Sequence, residues 1–252
     1  ALPIFARTCG REPGWNSVFD QLLRVTRAHG GTLTDSLAWS FVAGLAATFL
    51  AWLACDRAVG SRAWAGLVFG LAAAAWMTPG PILGFGLKHA IDHLLDLEEW
   101  LLAAFGWSPL FPPLRTLLYD QPSPLPAIWA AVVRFFPVAV TLLWPVFRQV
   151  PQELRDLSRL DGSPAWQRRM LLWPLTRTAF TQALVATTAL ALGELDAGKL
   201  VQPPGRQSFV QELFNAMHYG PDATVAAMSL LQIGARSEEH TSELQSPYVI
   251  SY

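Results

Sequence analysis

The chain has 252 residues, of which 52% are hydrophobic and 15% charged, with a formal net charge of -1 and a mean hydropathy of +0.30. That balance is too apolar for an ordinary soluble domain and points to an all-α membrane protein; it gives nucleic acid no footing as a partner. Cys9 and Cys55 share no C-x-x-C spacing, so neither a disulfide framework nor a zinc site is suggested.

Taken in chain order, the sequence starts at Ala1 without an initiator Met or a signal-peptide pattern, and is read as starting inside a longer protein. Residues 1–35 are expected to be an extracytoplasmic connecting segment. A bilayer core needs about 20 mostly apolar residues as helix. Ser36 to Cys55 is an uncharged run of that length, with Trp39 and Trp52 near its ends, where interfacial aromatics belong. Ala63 to Leu87 is a second uncharged run, in which Pro79, Gly80 and Pro81 are expected to break or bend the helix. Leu125 to Phe147 is a third, flanked by Trp129 and Trp144 and interrupted by Arg134. Ala179 to Gly193 is a short fourth, lengthened by the residues after Pro174, and Ala223 to Ala235 begins a fifth that stops about 7 residues short of a full span. About five spans are therefore expected within residues 36–235, in a chain incomplete at both ends. The remainder, 236–252, opens with "RSEEHTSELQS", which resembles the translation of a sequencing-adapter oligonucleotide and is set aside as an artefact.

Basic residues set the topology. Arg148 to Arg177 holds six arginines against three acids, whereas Lys88 to Pro124 holds two basic residues against five acids. By the positive-inside rule the first segment is cytoplasmic and the second faces out. Alternate threading then puts Asp56 to Arg62 inside and Leu195 to Pro221 outside. It leaves Arg7, Arg11, Arg24 and Arg27 outside, a mild conflict that a long connecting loop tolerates.

The cytoplasmic loop reads as a helical hairpin. Pro151 and Glu153 open a short helix with Leu154, Leu157 and Leu160 on one face, and Gly162 ends it. Ser163 and Pro164 restart a helix whose Trp166, Met170 and Trp173 share a face. Such a hairpin, apolar on one side and arginine-rich on the other, suits docking into a partner's groove. It suits equally a pair of helices lying on anionic headgroups.

At these residues the sequence resembles the cytoplasmic signature of the permease subunits of binding-protein-dependent ABC importers: an acid-Ala-Ala segment, three residues, a glycine, and a Leu-Pro further on. Asp156, Leu157 and Ser158 stand at the first three positions, Arg159, Leu160 and Asp161 follow, and Gly162 is the glycine. The core reads "DLS", and the interval from Gly162 to Pro174 is 12 where the family pattern has 13. "PGPILGFGL", "RFFPVAV", "LGELDAG", "QPPGRQSFVQELFNAMHYG" and "VAAMSLL" are similar to the iron(III)-type branch, so the resemblance runs from Thr34 to Gly234. It implies a type I ABC importer permease helix bundle in a bacterial inner membrane, with residues 148–177 as the coupling loop. It also implies an ABC ATPase subunit that binds the ATP, an extracytoplasmic solute-binding protein, and a second permease half or homodimer partner. Ferric iron is the leading substrate, with thiamine, a polyamine or an oxyanion behind. The family's coupling role falls on Asp156 to Gly162, and no cofactor or catalytic residue is implied for the chain.

Other motifs stand beside these. "GELDAGKL", Gly193 to Leu200, matches G-x-x-x-x-G-K but ends in Leu where a phosphate loop needs Ser or Thr, and it follows a span rather than a strand. Arg134, mid-span, and Glu194, at the outer end of the fourth span, are candidates for lining or gating a pathway, or for stabilising the bundle through another charge or backbone carbonyls. His89 and His93 lie one helical turn apart with Asp92 between them, a spacing able to bind a transition metal. With no third ligand evident, the expectation there is a wet amphipathic helix and no metal site. A membrane-embedded enzyme would need paired carboxylates, a ligand cluster or a Ser/His arrangement within the spans, and none is visible. A scaffold with a lipid-binding hairpin is the remaining alternative.

Overall fold

The computed structural model describes residues 15–105, 114–116, 118, 123–151, 153, 165–202, 205, 207–219 and 221–244. The regular structure among the described residues is helical throughout. In chain order the helices are α1 Trp15–Gly60, α2 Arg62–Met77, α3 Gly80–Phe105, α4 Leu125–Gln149, α5 Ala165–Leu192, α6 Asp196–Val201, α7 Phe209–Tyr219 and α8 Asp222–Leu244. Two compact units divide the chain: Ala1–Trp39 with Pro204–Tyr252, and Ser40–Pro203.

In the Ser40–Pro203 unit, α1 turns small residues inward and large ones outward. Ala43, Gly44, Ala47, Thr48, Ala51, Cys55 and Ala58 are buried at helical spacing, while Phe41, Val42, Leu45, Phe49 and Leu50 are exposed. Water would penalise that outer face at about 25 cal/mol per Å², whereas hydrocarbon would not. The inward stripe packs with Val68 of α2, Ala139, Val140, Leu143 and Phe147 of α4, and Ala179, Phe180 and Ala183 of α5. Trp52 sits among them, edge-on to both Phe147 and Trp173 at 6.1 Å between ring centres. Its indole N–H donates to the Thr176 hydroxyl at 2.9 Å, and that hydroxyl donates on to the Leu172 carbonyl at 3.0 Å. Trp52, which the sequence places near the end of the first apolar run, faces the core and is 5% exposed, with α5 supplying an acceptor for its polar edge.

In the other unit, the early part of α1 packs against α7 and α8. Val25, Phe209, Ala227 and Met228 form its core, with Leu22, Leu33 and Leu213 against them. Ser36 accepts a hydrogen bond from the Phe209 N–H at 2.9 Å, satisfying one of the orphan donors at the start of α7. Glu212 accepts from Thr32 at 3.0 Å and pairs with His29 at 2.8 Å. The segment read as a connection is thus helical from Trp15 onward and continuous with the first apolar run.

Span number differs from expectation. Among the described residues two helices are long and apolar enough to cross a membrane, Phe19–Gly60 and Leu125–Gln149, or three if the bent pair α2–α3 counts as one. The expected fourth span is a single 28-residue helix that runs through Pro174, but Arg177, Gln182 and its threonines dilute its apolar character. The expected fifth is apolar only over Ala223–Ala235. Helix α8 continues to Leu244, into the segment read as adapter-derived, where the side chains lie outside the described residues.

Candidate functional site at a broken apolar helix

The second apolar run breaks where its prolines fall. Thr78 precedes Pro79 and is extended, with φ -79° and ψ 121°, as the residue before a proline must be to avoid its ring. Helix α2 ends at Met77, α3 restarts at Gly80, and the two axes are bent by 114°. A break of this kind frees carbonyls at the end of the first leg, and in a water-poor setting each needs a donor. Arg134 of α4 supplies one: its Nη1 donates to the Thr78 carbonyl at 2.6 Å, and the side chain is half-buried. The mid-span arginine is held by a backbone carbonyl, one of the two kinds of partner its position calls for.

Helix α6 lies on the second leg. The carboxylate of Glu194 accepts the Ala197 N–H at 2.9 Å, so it caps α6 and offsets the positive end of that short helix. A Cβ added at Gly80 would stand 2.8 Å from Cβ of Asp196, and one at Gly84 would stand 2.9 Å from the Ala197 carbonyl oxygen. Only glycine permits so close an approach of the two backbones. Ala197 and Val201 are buried with Leu87 and Ile91 of α3 and Ala130 of α4, one turn from Arg134. Arg134 and Glu194, far apart in sequence, are thus brought to one assembly, each held by a backbone group.

Thr78, Gly80, Gly84 and Asp196 complete this assembly; the last three fall within quoted motifs, but none is picked out there as a site residue. The signal for the glycines is their spacing, small-x-x-x-small, which marks close helix approach in apolar surroundings. Asp156, Leu157, Ser158, Arg159, Leu160, Asp161 and Gly162 lie outside the described residues. Helix α5 begins at Ala165, directly after the Ser163–Pro164 start signal. Of the Gly193 to Leu200 motif, Gly193 to Leu195 connect α5 to α6, with the Gly193 and Glu194 N–H groups donating to the Leu190 and Ala191 carbonyls at 3.1 Å each, and Asp196 to Leu200 lie in α6. No strand precedes it, so the cradle of a phosphate loop is not formed there. Among the described residues no three His, Cys, Asp or Glu side chains converge on a point that could hold a metal.

Chemically the assembly offers one fixed cation, Arg134, the two carboxylates of Glu194 and Asp196, and two helix ends at a discontinuity. Such an arrangement can guide or gate a charged solute. No family model matches this sequence, and no curated protein matches it closely enough to count as a relative.

Proposed function

We propose that the chain is the transmembrane permease subunit of an ATP-driven importer, with ferric iron as its leading substrate. The observation that carries this reading is the run from Asp156 to Gly162, an acid-led segment ending in a glycine within an arginine-rich stretch between apolar runs. An ABC ATPase subunit docks on that loop and hydrolyses the ATP, and an extracytoplasmic binding protein delivers the solute. A second permease half or a second copy completes the path through a bacterial inner membrane. The chain itself contributes no bond-making chemistry.

The form of α5 supports a mechanical link. It runs unbroken from Ala165, three residues past Gly162 and within the coupling loop, to Leu192. Along the way it carries Thr176, bonded to Trp52, and Thr187, bonded to Thr48. A push on the loop is therefore passed along one rigid helix into the packed core. At its far end lie Glu194 and the α6 contact with α3, so movement of α5 bears on the broken helix whose Thr78 carbonyl is held by Arg134 of α4. In this reading Arg134 and Glu194 set which of the two sides is open.

The test is co-purification. The chain is coexpressed with the products of its neighbouring genes, extracted in mild detergent and isolated by a tag. The reading expects an ATPase subunit to come with it, and expects Gly162→Val to keep the complex while abolishing solute uptake, because a β-branched residue resists a positive-φ turn. Isolation without an ATPase, together with binding of the loop to anionic vesicles, would favour the lipid-binding scaffold instead.

A further inference from the structure

Helix α3 leaves the bend carrying a sequence of rings along one side. Phe85, His89 and His93 follow one another at single-turn spacing, with ring centres 5.7 Å apart for the first pair and 5.4 Å for the second. Both histidines are exposed. Asp96 lies one turn further on the same face, its Oδ2 4.0 Å from Nδ1 of His93, and both of these side chains are more than three-quarters exposed. Charge runs along this part of the helix, in Lys88, Asp92, Asp96, Glu98 and Glu99, interleaved with the exposed Leu94, Leu97, Trp100 and Leu101. Glu98 and Glu99 are engaged elsewhere, by the Leu114 N–H at 2.8 Å and by Arg115 at 3.5 Å. Asp92 and Asp96 stay beside the histidines and leave the neighbourhood negative.

We propose that His89 and His93 form a two-histidine chelate for a divalent transition ion such as Ni2+, Cu2+ or Zn2+, with Asp96 orienting His93. An ion bonded to two imidazole nitrogens at about 2.0–2.1 Å puts the ring centres roughly 4.5–5.2 Å apart for angles between square and tetrahedral. The observed 5.4 Å meets that separation with a small rotation of either exposed side chain. Two neutral nitrogens of borderline softness select this class of ion over Mg2+ or Ca2+, which take oxygen ligands. Asp96 stands 4.0 Å from Nδ1 of His93, beyond hydrogen-bond reach, and a small turn of either exposed side chain would bring its carboxylate onto that nitrogen, where it would fix the tautomer and raise the ring's basicity toward the metal. The remaining positions on the ion stay open to water or to a ligand carried by another molecule. This assignment stands apart from the permease reading and says nothing of the transported solute.

The full chain, purified in detergent with a tag free of histidine, is titrated with Ni2+ and Zn2+ by calorimetry. The proposal expects one equivalent to be lost, or weakened by at least about tenfold, in H89A and in H93A, with D96N giving a smaller loss. A further variant, A90H/H93A, keeps the number of histidines but places them side by side, where they cannot face one ion; it is expected to bind as weakly as H93A. Circular dichroism checks that all four remain helical, which their exposed positions favour. Wild-type titration in H89A/H93A, or in A90H/H93A, would overturn the assignment.

Discussion

Two helix crossings in the Ser40–Pro203 unit are both built on glycine, yet they are held in different ways. Where α1 meets α5, Gly44 lets the Thr188 backbone approach so closely that a Cβ would stand 2.9 Å from its N atom. Thr48 and Trp52 then bond across the crossing to Thr187 and Thr176 at 3.1 and 2.9 Å. Thr187 donates along its own helix to Ala183 at 2.8 Å, which leaves its oxygen free to accept from Thr48. Where α3 meets α6, Gly80 and Gly84 admit a helix of six residues, capped by Glu194, beside a broken helix whose last carbonyl is met by Arg134. The first crossing is a dense seam between long helices. The second is a small, separately capped piece set on a hinge-like bend. Only the second crossing sets close packing next to an interrupted backbone and a half-buried charge, and that combination is what makes it the candidate site.

Substitutions sharpen that contrast, and the largest effect is expected at the seam. Gly44→Val sets a branched side chain against both the Thr188 hydroxyl and the Thr188 backbone, and because the backbone cannot turn aside as a hydroxyl can, α1 and α5 must separate. A loss of about 3 kcal/mol is expected, read as a fall in thermal midpoint and in the yield of monodisperse protein in detergent. Arg134→Leu comes next: it leaves the Thr78 carbonyl without its charged donor, at a cost of about 1.5–3 kcal/mol. It is expected to reduce uptake well beyond that stability loss, with Arg134→Lys recovering part of it. Gly84→Ala meets the Ala197 carbonyl at the small crossing, where a short helix can give way. About 1 kcal/mol is expected, seen as faster amide exchange confined to α6. Trp52→Phe removes one donor from the seam while Thr176 keeps its bond to Leu172, so about 1 kcal/mol is expected in the unfolding midpoint and no change in uptake. Equal loss of uptake in Trp52→Phe and Arg134→Leu would erase the distinction between the two crossings.

Much of this was legible in residues, and the rest depended on partners that sequence distance hides. The break at Thr78 to Gly80 follows from Pro79 and Pro81, whose missing N–H groups and rigid rings act locally. The third apolar run is a helix through two internal prolines because length and hydropathy outweigh them. Arg134 stood out because a charge inside an apolar run is rare. The burial of Trp52 was not legible, since its acceptor, Thr176, lies 124 residues away and looks like any other helix threonine. The helix before Ser36 was hidden by its charges, which periodicity across a polar stretch does not separate from a loop; its packing partners in α7 and α8 come from the other end of the chain. The α6 seat on α3 was foreshadowed by the Gly80 and Gly84 spacing, but nothing in the sequence says which helix fills it.

The central claim is that the Asp156 to Gly162 loop transmits an ATPase's work into the helices. The most direct measurement places the chain with its ATPase and binding protein in liposomes and follows ATP hydrolysis and solute uptake together, for wild type and Gly162→Val. The account predicts that wild type couples the two and that the variant hydrolyses ATP without uptake. Uptake at the wild-type rate in the variant would contradict it.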